Sequence, residues 1–260
     1  MVSEKTGRRE FARRAILGGV AASCGLALDS SGTVFAQSAS DNDILNFALN
    51  LEFLEAEFYT VATTGRRLAD LGITVSGRRR EGATVGGSMV ALDDVTRSVA
   101  EQIARDEQAH VRFLQTALRT SAVAKPAINL EALGVGFRNQ AEFLTVASIF
   151  EDVGVSAYGG AAPLIRSRTI LAAAAGIALT EGQHAGVLRH LVNRANLPVP
   201  PVDGKAVPPL GQPNGRLFFV DGNGLSPART ASEVLRVVYA GGRDNGGFFP
   251  DGVNGDISRV

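Results

Sequence analysis

The chain of 260 residues has three histidines, and two of them stand three places after a glutamate, as Glu107-x-x-His110 and Glu181-x-x-His184. Residues three apart on a helix share a face, so each pair offers one carboxylate and one imidazole to the same point. Ile103, Val111 and Leu114 flank the first pair at helical spacing, and Ile177, Ala178 and Leu188 flank the second. Charged groups on such apolar stripes must be paired, protonated or bound to metal, because burying a bare carboxylate is very unfavourable. A lone Glu-x-x-His is common as a surface pair; two of them on core-facing stripes call for another account.

Two further glutamates repeat a pattern of their own, Glu52 with Tyr59 and Glu151 with Tyr158, each tyrosine seven residues on. Seven residues make about two helical turns, which puts each glutamate and its tyrosine on one stripe. The order Glu with Tyr, then Glu-x-x-His, is thus given twice, as a pseudo-repeat. Four glutamates carry four negative charges, which two divalent cations would neutralise while the imidazoles fill remaining positions. Mixed carboxylate and imidazole donors suit iron or manganese. One glutamate from each of two helices with Glu-x-x-His from two others is a ligand set of dinuclear carboxylate bundles. The expected metal ligands are therefore Glu52, Glu107, His110, Glu151, Glu181 and His184. Tyr59 and Tyr158 are expected to hydrogen-bond the carboxylates, with plain core packing as the alternative. Glu55, one turn from Glu52, competes with it, whereas Glu57 points away. His190 has no acidic partner at ligand spacing and reads as a surface residue.

Four helices must position these groups, and the hydrophobic period supplies them over about 41–63, 94–120, 139–161 and 168–196. Ser40 with Asp43 is a capping-box pattern for the first. No stretch alternates convincingly as a strand. The Gly- and Arg-containing insert 64–92 reads as a loop with room for a short helix. Ser121 to Arg138, with Lys125-Pro126 inside, can extend to about 60 Å. That is twice the length of a 20-residue helix and allows a crossover along the bundle. The fold class is all-α: a four-helix bundle with a long crossover over 40–197, then a Pro/Gly-rich extension over 198–260. Ser226 as cap and Pro227 at the first helical position signal one short helix there, stopped by Gly241-Gly242. The closing GGFFPDGVNGDI offers Phe248 and Phe249 for packing on the bundle.

Residues 1–36 read as an address. GRREFARR at 7–14 is followed by an apolar stretch from Ala15 to Leu28 and by Val34-Phe35-Ala36, the layout of a cleaved export signal. Arg8 and Arg9 with Phe11 fit the twin-arginine pattern, which implies the twin-arginine translocation machinery as a partner and a periplasmic or otherwise exported product. The single cysteine, Cys24, falls inside that segment, so the mature chain would have no thiol for a disulfide or a metal. Lysine and arginine number 26 against 26 acidic residues, which leaves no long-range field for nucleic acid or an anionic membrane. Arg66, Arg67 and Arg78 to Arg80 read as solvated loop charges.

The stretches DILNFALNLEFLEAEFY, IARDEQAHVRFL, SIFEDVGVSAYGGAAPL, EGQHAGVLRHL and GGFFPDGVNG resemble the ferritin-like domain proteins related to plant desiccation-related proteins, over about residues 41–258. The resemblance implies the ferritin-like fold and a metal site at the six residues named above. The expected activity is redox chemistry on dioxygen or hydrogen peroxide at a di-iron or di-manganese centre, in stress protection. The alternative is a non-catalytic protective or metal-holding protein. The Pro/Gly-rich tail stands where cage-forming ferritins have a compact fifth helix, which argues against mineral storage; the sequence leaves a homo-oligomer open.

Overall fold

The protein's structure, a computed structural model, describes residues 39–260. The segment 1–36 expected to be an export signal, Cys24 included, lies outside the described residues. Four long helices form the bundle: α1 (Asp41–Thr64), α2 (Asp94–Leu118), α3 (Gln140–Ala161) and α4 (Arg168–Arg194). Helix α1 packs chiefly along α2, and α3 along α4, so the bundle is two helix pairs laid together. Among the described residues no helix is long and apolar enough to cross a membrane.

Each helix starts on a side-chain cap that satisfies an otherwise orphaned N–H. Ser40 and Asp43 form the expected reciprocal box on α1, while Asp93, Asn139 and Ser167 cap α2, α3 and α4. Helix α1 is apolar on nearly every side and is correspondingly buried from Ile44 to Thr63. Its outer face is covered by the insert, the crossover and the C-terminal tail. Val123 N–H donates to Asn46 Oδ1 near the start of α1, and Phe137 packs edge-on against Phe58, twelve residues further along that helix. The crossover therefore runs about 18 Å beside α1.

The insert and crossover also pair as strands, which the sequence does not announce. Residues β1 (Thr84–Val85) and β2 (Ile128–Asn129) form a two-residue parallel ladder. Two residues are too few to carry an alternating pattern. Glu57 points away from the other glutamates, as expected, and accepts from Thr84 Oγ1 at 3.0 Å beneath the insert. Arg78, Arg79 and Arg80 are exposed, but Arg67 is half-buried and donates to the Gly86 carbonyl.

The C-terminal extension is built into the bundle. Its short helix α5 (Ala231–Val238) is capped by Thr230 in a reciprocal box with Glu233, not by Ser226 with Pro227 at its first turn as the sequence suggested. The reason is tertiary: Arg229 N–H donates to the Ser156 carbonyl, and the Arg229 guanidinium, 1% exposed, holds Asp203 and Ser156 Oγ. Residues before Thr230 are thereby held against α3 and cannot join the helix. Buried Arg189 reaches Asp152 on α3, and Phe219 lies under both guanidinium groups. Phe248 and Phe249 are buried as expected, and Asn254 exchanges hydrogen bonds with Asn50 of α1.

A Cβ at Gly160 would lie 1.9 Å from the Arg229 carbonyl oxygen, a backbone atom with nowhere to move. Gly160→Ala should therefore lower the unfolding free energy by about 1–3 kcal/mol despite alanine's better helix propensity. Urea unfolding of the two proteins checks this. A gain in stability would mean that the extension does not press on α3.

Candidate metal centre

All six expected ligands meet in the middle of the bundle. Glu52 comes from α1, Glu107 and His110 from α2, Glu151 from α3, and Glu181 and His184 from α4, and every one is buried. His110 Nδ1 lies 3.1 Å from Glu52 Oε2, 3.1 Å from Glu107 Oε2 and 3.5 Å from Glu181 Oε1. His184 Nδ1 lies 3.0 Å from Glu107 Oε1 and 3.2 Å from Glu151 Oε2.

Two quartets follow, each with its donor atoms within 4.8 Å of one another: Glu52, Glu107, His110 and Glu181, and Glu107, Glu151, Glu181 and His184. Glu107 and Glu181 belong to both. Each helix pair thus supplies three donors to one quartet and lends one carboxylate to the other. This is the pseudo-repeat of the sequence turned into a nearly two-fold site. Glu55 is buried beside the quartets, which include Glu52 but not Glu55. His190 is exposed, as expected.

The tyrosines cross over. Tyr158 donates to Glu52 Oε1 at 2.5 Å, across the bundle to the other helix pair, not to Glu151 on its own helix. Tyr59 is buried near Glu151, yet its hydroxyl makes no hydrogen bond among the described residues. Burial, followed by the Glu151 charge, holds the Tyr59 hydroxyl well above its ordinary ionisation range.

Asp106 was not foreseen. Its Oδ2 lies 3.2 Å from His184 Nε2, so the imidazole is held from behind while Nδ1 faces the carboxylates. The available signal was a carboxylate directly before Glu107. The matching place before Glu181 is Thr180, whose hydroxyl turns back to the Gly176 carbonyl, and His110 Nε2 has no such support among the described residues.

The electrostatics show what the site lacks. Both Glu181 oxygens and Glu151 Oε1 are buried without a hydrogen bond. Burial and then the Glu107 and Glu151 charges push the Glu181 carboxyl well above its usual range. Burial and the Glu52 charge push Glu107 up to about 8. Burial and the Glu151 and Glu107 charges raise Glu55. Burial alone would lower the two histidines, but their carboxylate neighbours outweigh it and raise His110 to about 10 and His184 to about 11. Glu52 moves down: burial opposes its charge, and His110 more than offsets burial. Buried carboxylate oxygens without partners, facing two imidazole Nδ1 atoms, fit cations of a carboxylate-and-imidazole type.

Gly154 on α3 makes room for this cluster. A Cβ there would lie 2.6 Å from Glu181 Oε2 and 3.0 Å from Glu55 Oε1. Gly154→Ala should leave folding nearly unchanged, since alanine favours the helix by about 1 kcal/mol and the Glu181 carboxylate can swing aside. The displaced carboxylate should cost tenfold or more in metal affinity, by analogy with the usual cost of disturbing a ligand's support. Competitive chelator titration reads that loss; unchanged affinity would place the metal elsewhere.

The ferritin-like domain family matches residues 40–194, the four long helices with the site between them. The chain is also 26% identical over 271 residues to the ferritin-like catalase Nec2 of Nesocodon mauritianus, covering 85% of each chain. It is 27% identical over 170 residues to the desiccation-related protein PCC13-62 of Craterostigma plantagineum, covering 59% of this chain and 53% of that one. Fold, buried carboxylate-histidine cluster and matched span agree: the chain belongs to the ferritin-like domain family.

Proposed function

We propose that the chain holds two divalent ions, iron or manganese, in the two quartets and uses them in redox chemistry on hydrogen peroxide or dioxygen. The observation that carries this reading is the pair of quartets sharing Glu107 and Glu181, with buried carboxylate oxygens that accept no hydrogen bond among the described residues. The relative named as a ferritin-like catalase favours peroxide as the substrate. Export by the twin-arginine route, on Arg8, Arg9 and Phe11, and protection against oxidative stress in the periplasm complete the proposal.

Paired iron or manganese, when bound, supplies one-electron changes at each ion. The protein's own part is placement and proton control. Tyr158 fixes Glu52 through its hydroxyl, and Asp106 fixes the His184 ring. Glu55 and Tyr59 lie outside the quartets, and without metal burial and the neighbouring carboxylates oppose the ionisation of both. Protonated, they are the hydrogen-bond donors left for a small molecule entering the centre. Apolar side chains of the bundle core surround Tyr59 and keep bulk water from it.

A metal-holding role without turnover is the second reading, since the quartets join both helix pairs and bound ions would tie them together. Elemental analysis of the exported protein, with a peroxide-consumption assay on the same sample, separates the two. About two ions per chain with turnover is expected. Two ions without turnover would favour metal holding, and replacement of Glu107 and His110 would then cost folding alone. No bound metal after anaerobic loading with iron and manganese would sink the site.

A further inference from the structure

A cavity of about 310 Å³ lies between α1, α3 and the C-terminal extension, beside the quartets but outside them. Its size is at the small end of ligand sites, which run roughly 300–1,000 Å³. Leu54, Val153, Phe150, Val237 and Phe248 make its walls apolar. Two charged side chains line it. Glu55, 5% exposed, faces it from α1, and Arg236, exposed on α5, stands at its mouth.

The wall toward the metal centre is thin. Gly154 lines the cavity, and the place of its missing Cβ is 2.6 Å from Glu181 Oε2. The inner end is walled by Leu54, Phe150 and Val153, so it favours a neutral, apolar group. The mouth selects the opposite. The Arg236 guanidinium makes no hydrogen bond or ion pair among the described residues, unlike buried Arg189 and Arg229, which are committed to Asp152 and Asp203. A guanidinium at the rim of an apolar cavity matches a carboxylate in both charge and shape. Phe150 and Phe248 meet edge to face at 4.9 Å and 72° and both line the cavity, so part of its wall is aromatic.

We infer that this cavity is a binding site for a small aryl carboxylate, its ring against Phe150 and Phe248 and its carboxylate on Arg236. The site is made of protein alone and stands whether or not the neighbouring quartets hold metal. It also gives the C-terminal extension a task, because α5 and Phe248 supply the outer half of the cavity.

The test is calorimetric titration of the full exported protein, metal-free and metal-loaded, with 4-phenylbutanoate and with the neutral 4-phenylbutan-1-ol. Saturable binding of the acid at one site per chain is expected. Arg236→Glu should weaken the acid about tenfold, the loss of a charge-assisted contact, and leave the alcohol unchanged. Val237→Phe should weaken both by filling the cavity. Should that variant fail to fold, the acid and alcohol on Arg236→Glu still decide. Absence of saturable binding up to millimolar acid, or equal effects of Arg236→Glu on acid and alcohol, would overturn the inference. So would a dimer of the parent protein that Val237→Phe alone dissolves, which would give the cavity to a second copy of the chain.

Discussion

Glu181→Leu is expected to raise the melting temperature of the metal-free protein and to abolish the further rise that iron or manganese gives the parent. Glu181 is 0% exposed and neither of its oxygens is hydrogen-bonded. The other site carboxylates oppose its ionisation, so without metal it is a buried polar group with little return. A buried polar group without a hydrogen bond costs about 1–3 kcal/mol, which an apolar residue of similar size does not incur. With metal the sign reverses. Glu181 belongs to both quartets, so its loss leaves each with three donors. The parent should gain about 4 kcal/mol when free metal exceeds its dissociation constant a thousandfold, and the variant should gain almost nothing. Calorimetric melts with chelator and with metal give all four values. A metal-free variant less stable than the metal-free parent would show that the carboxylate is satisfied without a cation.

The metal-free and metal-loaded proteins should also respond to pH in opposite directions. Glu107 rises from an ordinary 4.5 to about 8, and Glu55 and Glu181 are raised well above 4.5. Between the unfolded and folded values the folded chain binds more protons, so raising pH favours unfolding. His110 and His184 act with the same sign in a higher window. Their contribution is complete below 6.5 and fades as pH climbs toward about 10 and about 11. Glu52, lowered, acts the other way, with stability present above 4.5 and lost as pH falls below it. Three raised carboxyls and two raised imidazoles outnumber it, so metal-free stability should fall from about pH 5 to about pH 9. Metal binding needs deprotonated ligands and strengthens over the same range. The gap between the two melting temperatures should therefore widen with pH. A constant gap would mean that the quartets release no protons when metal enters.

The sequence made the six donors legible because they sit on long amphipathic or fully apolar helices, where one period decides both the element and its buried face. Glu107 with His110 and Glu181 with His184 needed no more than that. What escaped was set by contacts between distant segments. Asp106 supports His184, 78 residues away, and its place directly before Glu107 does not by itself separate it from an exposed aspartate. Tyr158 was expected to serve a carboxylate, but which one depended on how the helix pairs face each other, and it proved to be Glu52. The start of α5 was misplaced because Ser226-Pro227 is a good local signal that the anchoring of Arg229 overrides. Buried Arg189 and Arg229 escaped for the same reason, since only the folded extension brings Asp152 and Asp203 to them.

The lending of Glu107 and Glu181 across the bundle gives bound ions a second office. Each filled quartet would join the segment ending at Leu118 to the segment beginning at Gln140, a cross-link between two hairpins of one chain. In exported proteins, as this chain is proposed to be, that work commonly falls to disulfides, and here the single cysteine lies at position 24. A clasp made of carboxylates can be opened by a chelator or by acid and closed again without a change of covalent bond. Metal supply would then set how tightly the two hairpins are held, and with it how readily the crossover from 119 to 139 yields to a protease.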